Sequence, residues 1–265
     1  MILFVFDGHF FFSIPGFKGA SLARVLSGLT ATLPALAGCL RHFCVELGQF
    51  ATDQYAVGVV YKLDSLLQSI AYLSELESLF ISAPSMCALG TEFVHMCMSM
   101  TGLKRLAINL NLLNGSTAFP HALQASLMQQ LDTLVVGKNR QTAGHLEHIW
   151  AHPGLRAVLF LQCSLGPDAI PDLIARGVRL QRLAVSGARR PVKISEIVYA
   201  LAERPPSATR PLTLTLDSTP TLDLVQHIDP SRLKLNILGH SPVSFKHQSD
   251  SRWLLRRFFW NQDLG

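Results

Sequence analysis

Charge is scarce in this sequence: Asp, Glu, Lys and Arg together make up 15% of its 265 residues. Lys and Arg outnumber Asp and Glu by 23 to 18, a formal net charge of +5, which argues for no more than a weak preference for anionic partners and for no specific nucleic-acid role. No CxxC pair occurs, and the five cysteines Cys39, Cys44, Cys87, Cys97 and Cys163 are odd in number. No internal scheme can pair them all, so a reducing compartment, cytoplasmic or nuclear, is expected. No uninterrupted apolar stretch approaches the ~20 residues of a membrane span. The opening MILFVFDGHFFFSIPGF holds six of the 15 Phe, but Asp7, Gly8 and His9 interrupt it and no Lys or Arg precedes it, so it reads as cover for the end of a core rather than as a secretory signal or anchor. Paired carboxylates, a phosphate-cradling glycine loop and metal-ligand spacing are missing too. Neither catalysis nor a cofactor nor a metal is therefore expected.

What the sequence does hold is apolar surface, 49% of residues, enough to bury a large core in one or two domains. That apolar content is periodic. Leu155 to Gly166, LRAVLFLQCSLG, places Leu155, Val158, Phe160 and Cys163 at offsets 0, 3, 5 and 8 of a pattern LxxLxLxxNxL. Leu103, Leu106, Ile108 and Asn111 repeat it, as do Leu131, Leu134, Val136 and Asn139. Leu40, Phe43 and Val45, then Leu76, Leu79 and Ile81, then Leu180, Leu183 and Val185 match at three positions, and weaker copies lie at Leu214 with Leu216 and Leu235 with Ile237. From Leu76 the starts are 27, 28, 24 and 25 residues apart. Offsets 3 and 5 put two side chains on one face of a short strand, and a small polar or thiol side chain at offset 8 can satisfy backbone groups where the chain turns.

This pattern resembles the leucine-rich repeat superfamily, of the ribonuclease-inhibitor-like kind, from about Leu40 to Ile237. The resemblance implies an α/β solenoid: short parallel strands on a concave face, helices on a convex face, and coils that share one core because none buries its apolar side alone. Residues 118–130 and 167–176 read as helices, the second beginning at Pro167 and Asp168 and stopping before Gly177. Residues 62–76 read as a helical stretch inside a long coil, and ERPPSATRP, residues 203–211, as an excursion before the strand-like PLTLTLD. The expected division is an N-terminal capping or helical segment over 1–39, the solenoid over 40–243 and a capping helix over 244–265.

In such a solenoid the residues flanking the buried strand leucines line the concave wall. Its middle column is Phe80, Ala107, Val135, Leu159, Ala184 and Thr215, with Arg105 and Arg182 one column back and Leu161 one column forward. An apolar strip bordered by arginine has the anatomy of a protein interface, and the function expected is non-catalytic binding of a protein partner there. On that expectation Phe80 or Leu159 changed to Asp loses the partner with stability little altered. The competing expectation is that a loop, the N-terminal phenylalanines or irregular curvature covers the strip.

Other stretches carry alternatives. RWLLRRFFWNQ, residues 252–262, splits on a helical wheel into a capping side, Leu254, Leu255, Phe258 and Phe259, and a side with Trp253, Arg256, Arg257 and Trp260. That second side suits a binding hot spot or an anionic surface, or plain stacking of Arg on Trp. Residues 13–43 resemble an F-box, from Ile14 and Pro15 through Val25, Leu26 and Leu29 to Cys39, Arg41 and Phe43, which would imply a substrate receptor docking on a ubiquitin-ligase adaptor. The acidic residues and second helix of that family are missing, and Leu40 to Val45 also serve as a repeat strand. Gly239, His240 and Ser241 resemble the GxSxG elbow of an α/β-hydrolase esterase, but Val243 replaces the second glycine and no acid and His follow at suitable distance. His145, His148 and His152 share a helical face, yet His152 precedes Pro153 and no further ligand joins them, so solvent-facing histidines are expected.

Overall fold

Short strands stand where the leucine pattern puts them. The computed structural model describes residues 2–6, 9–14, 19–47, 65–66, 68–82, 96–97, 99–109, 130–137, 154–161, 165, 168–177, 179–186, 194–204, 211–216 and 229–237. They belong to two compact units, Met1–Gln130 and Leu131–Gly265.

In the first unit, β1 (Ile2–Phe6), β2 (His9–Ile14), β3 (His42–Leu47), β4 (Ser78–Ser82) and β5 (Arg105–Asn109) lie side by side in chain order. β1 runs antiparallel to β2, and β2 through β5 run parallel. Parallel neighbours need a long crossover, and α1 (Gly19–Thr32) with a 3-10 turn (Leu33–Leu36) supplies it between β2 and β3. Within the capping or helical segment expected over 1–39, two strands precede the helix. Aromatic residues favour strands, and Phe6 pairs with His9 across the dipeptide Asp7-Gly8, the spacing and composition of a two-residue hairpin connection.

In the second unit, β6 (Thr133–Gly137), β7 (Ala157–Leu161), β8 (Arg182–Ser186), β9 (Leu212–Leu216) and β10 (Leu233–Ile237) are parallel neighbours in chain order. α2 (Ala169–Arg176) and α3 (Ile194–Glu203) fall between β7 and β8 and between β8 and β9. α2 buries Ala169, Ile170, Leu173 and Ile174 at helical spacing. It stops at Gly177, whose N–H donates to the Leu173 carbonyl at 2.9 Å. A Cβ there would lie 2.6 Å from the Leu173 oxygen and 2.9 Å from the Leu180 Cβ, so the next coil can start this close only behind a glycine.

Register follows the leucines. Leu79 faces Leu106, and Leu134, Val158, Leu183, Leu214 and Leu235 form one row of the second unit. Because side chains alternate with period two, a one-residue slip would carry this row to the other face. The leucines that open each repeat, Leu40, Leu76, Leu103, Leu131, Leu155 and Leu180, are all buried.

The residue just ahead of each strand makes a recurring junction. The Arg41 carbonyl accepts from the N–H groups of Glu77 and Ser78, and the Glu77 carbonyl from those of Lys104 and Arg105. In the second unit the Asp132 carbonyl accepts from Arg156 and Ala157, and the Arg156 carbonyl from Gln181 and Arg182. The same positions carry opposite charges, Arg41 with Glu77 at 3.8 Å and Arg156 with Asp132 at 3.6 Å. All four side chains are substantially exposed, so each pair contributes at most about 1 kcal/mol, and the backbone ladder does more than these charges to hold the coils in phase.

Candidate functional site

The sheet face opposite the repeat leucines divides by strand composition. β7 reads AVLFL and every one of its residues is buried. β9 reads LTLTL and alternates between buried Leu and half-buried Thr. This is the difference between a parallel strand covered on both faces, which is apolar throughout, and one with an open face, which alternates.

The expected open apolar wall is accordingly corrected. Val135, Leu159 and Leu161 are 1%, 0% and 7% exposed, so these three flanking side chains are core. Ala184, in the same row of the second unit, is buried as well, as is Ala107 in the first unit. The offsets were right about which residues share the face but carried no information about whether anything covers it. Phe80 is half-buried in the first unit, between Cys44 and Ala107 in register. Arg105 and Arg182 are half-buried.

In the second unit the face opens progressively. One row runs from buried Thr133 and Ala157 through half-buried Arg182 and Thr213 to exposed Lys234. The next runs from buried Val135, Leu159 and Ala184 to half-buried Thr215 and exposed Asn236. With strands ~4.8 Å apart, Arg182 and Lys234 stand about 10 Å from each other, with Thr213 between them. The accessible part of the face is therefore polar and basic: two cations, two hydroxyls and an amide, on rigid strands.

Two clusters escaped the sequence reading. On the matching face of the first unit, His42 Nδ1 and the Ser78 hydroxyl share a hydrogen bond of 3.0 Å. A serine beside an imidazole is the arrangement of an activated nucleophile, but Ser78 is 0% exposed and offers no access to a substrate. The bond instead ties β3 to β4 where a buried hydroxyl needs a partner. The residues are 36 apart in sequence, so no local motif announces them.

The second cluster closes α3. Arg204, 6% exposed, donates from Nη2 to the Leu180 carbonyl, while its Nε has no hydrogen-bond partner among the described residues. Arg232 donates from Nη2 to the carbonyls of Leu201 and Arg204. Cations there complement the negative end of the helix dipole. Burial, and then the neighbouring Arg232 charge, lower the pKa of Arg204. Just ahead of β10, Asp229 accepts from the Ser231 hydroxyl at 2.7 Å and the Ser231 N–H at 2.8 Å, and these bonds hold its carboxyl below the ordinary range.

Of the thiols, Cys39 is exposed while Cys44 and Cys97 are buried, and burial pushes the Cys97 pKa far up. Among the described residues no group of three His, Cys, Asp or Glu could hold a metal, and no helix is long and apolar enough to cross a membrane. Trp253, Arg256, Arg257, Trp260, the three histidines 145, 148 and 152, Ser241, Asn111, Asn139, Cys163 and residues 118–129 of the helix expected over 118–130 lie outside the described residues. The F-box-like stretch ends as a rung of the sheet, with Phe43 and Val45 buried in β3 and Arg41 paired to Glu77. Compared with known proteins, the chain matches no family model and no curated protein.

Proposed function

We propose that this chain is a recognition module of the leucine-rich repeat type that binds a protein partner without catalysis, through the sheet face that opens along β8, β9 and β10. One observation carries the reading: in the second unit Arg182, Thr213, Thr215, Lys234 and Asn236 stand in register on one face and are the accessible members of rows whose other members are buried. Strands place such side chains within fractions of an ångström, and a polar, arginine-bearing surface on rigid elements suits recognition. The basic balance of this patch favours an acidic segment of the partner.

The test is affinity capture with the wild-type chain beside Arg182→Glu and Thr215→Arg, each checked for a native circular dichroism spectrum and melting curve. A protein recovered by the wild type and lost by both folded variants supports the reading. An unchanged set of captured proteins overturns it.

A further inference from the structure

Strands β8, β9 and β10 read RLAVS, LTLTL and LKLNI and hold no Asp or Glu, so their ionisable side chains are of one sign. Both of these, Arg182 and Lys234, stand in one row with Thr213 between them, each one strand spacing of ~4.8 Å from the threonine. Arg182 and Thr213 are half-buried and Lys234 is exposed. Long side chains can lean across a single strand spacing, so a guanidinium from one side, an ammonium from the other and a hydroxyl from below can donate to one point over β9. Half-burial leaves the charge of Arg182 less screened by water than a fully solvated one. Its guanidinium has five N–H donors, so a bond to the chain itself leaves others for a ligand.

We infer that Arg182, Thr213 and Lys234 form a phosphate subsite, and that the partner segment bound on this face carries a phosphorylated serine or threonine. The inference rests on the partner-binding reading and names the chemistry of what that face takes. A carboxylate brings one charge and two oxygens, which the fork of Arg182 alone can satisfy. A phosphomonoester brings a charge of about −1.5 to −2 at neutral pH and three acceptor oxygens, a match in charge and in number for two cations and a hydroxyl. Thr215 and Asn236 lie side by side in the next row, ~6.6 Å farther along the strands. There a hydroxyl and an amide can bond the main chain of the bound segment. The short tether of phosphoserine or phosphothreonine keeps its phosphate that close to its own main chain, whereas the ring of phosphotyrosine carries it farther away.

The test is fluorescence anisotropy of the full chain with degenerate peptide libraries that are identical except for a central phosphoserine, serine or glutamate. The phosphoserine library should bind at least about tenfold more tightly than either counterpart. Lys234→Gln and Thr213→Val each remove one donor to a charged acceptor and should each weaken binding of the phosphoserine library about tenfold. Position 234 is exposed and Thr213→Val keeps the side-chain shape, so both variants keep the fold, which circular dichroism and a melting curve verify. Binding that does not distinguish phosphoserine from glutamate, no binding of any library, or phosphoserine binding indifferent to both folded variants overturns the subsite. Inorganic phosphate that competes as well as the phosphopeptides, mole for mole, also overturns it, since free phosphate would then be the ligand. A partner captured equally well from a phosphatase-treated lysate overturns the phosphate inference and leaves the partner reading standing, whereas capture unchanged by Arg182→Glu and Thr215→Arg overturns that reading itself.

Discussion

Truncating Leu159 to Ala separates a packed wall from an open one. The side chain is 0% exposed at the centre of β7, between Val135 and Ala184 in register. The change removes three carbons, worth about 2.4 kcal/mol at ~0.8 kcal/mol each, and the cavity left behind brings the loss to about 3–4 kcal/mol. For a chain of this size that lowers the melting temperature by roughly 6–15 °C. Thr215→Val, one step beyond Ala184 in the same row and half-buried, keeps the side-chain shape and should stay within about 0.5 kcal/mol. Urea unfolding followed by circular dichroism measures both. If Leu159→Ala costs no more than Thr215→Val, the face over β7 is open and the burial argument is wrong. The same reasoning reverses the expectation drawn from the offsets for Leu159→Asp: a carboxylate in that position destabilises the unit and reports on folding before it reports on any partner.

Further outcomes follow from single residues. Gly177→Ala forces a Cβ to within 2.6 Å of the Leu173 oxygen; thermal denaturation should show a loss of about 1–3 kcal/mol, and an unchanged melting curve would refute the close approach. Asp229 is held as a carboxylate by Ser231. Its contribution to folding is therefore present above the ordinary carboxyl range and lost as pH falls through the lowered folded-state midpoint. Carboxyl carbon NMR should place that midpoint below the ordinary value, and Ser231→Ala, which removes the hydroxyl donor and keeps the N–H, should raise it. In the native chain, iodoacetamide with peptide mass mapping should modify Cys39 well before Cys97, whose thiolate is disfavoured by burial. Equal rates would contradict the packing around Cys97.

Strand positions were legible because their cause is local. Leu79 with Ile81, Leu106 with Ile108 and Leu134 with Val136 alternate on five-residue stretches, and β4, β5 and β6 lie there. The helix stop at Gly177 was legible for the same reason. In 65–77 helical turns end at Ile70, before the expected Leu76, since the chain must turn there to bring Leu76 into the core. The hairpin of β1 and β2 was missed although Asp7-Gly8 marks it. Exposure of the site was half legible: AVLFL against LTLTL distinguishes β7 from β9, whereas counting offsets alone treats Leu159 and Thr215 as equivalent.

By itself the sequence determined which residues alternate from Leu40 onward, hence where β3 to β10 lie and which side of each is the leucine side, because side-chain period and leucine spacing are properties of short segments. Only the tertiary structure decided that Leu159 is core while Lys234 meets water, that Ser78 meets His42, and that Arg204 reaches the Leu180 carbonyl. Burial and hydrogen bonding of that kind depend on what folds over or beside a residue from tens of positions away, and no local pattern carries that information.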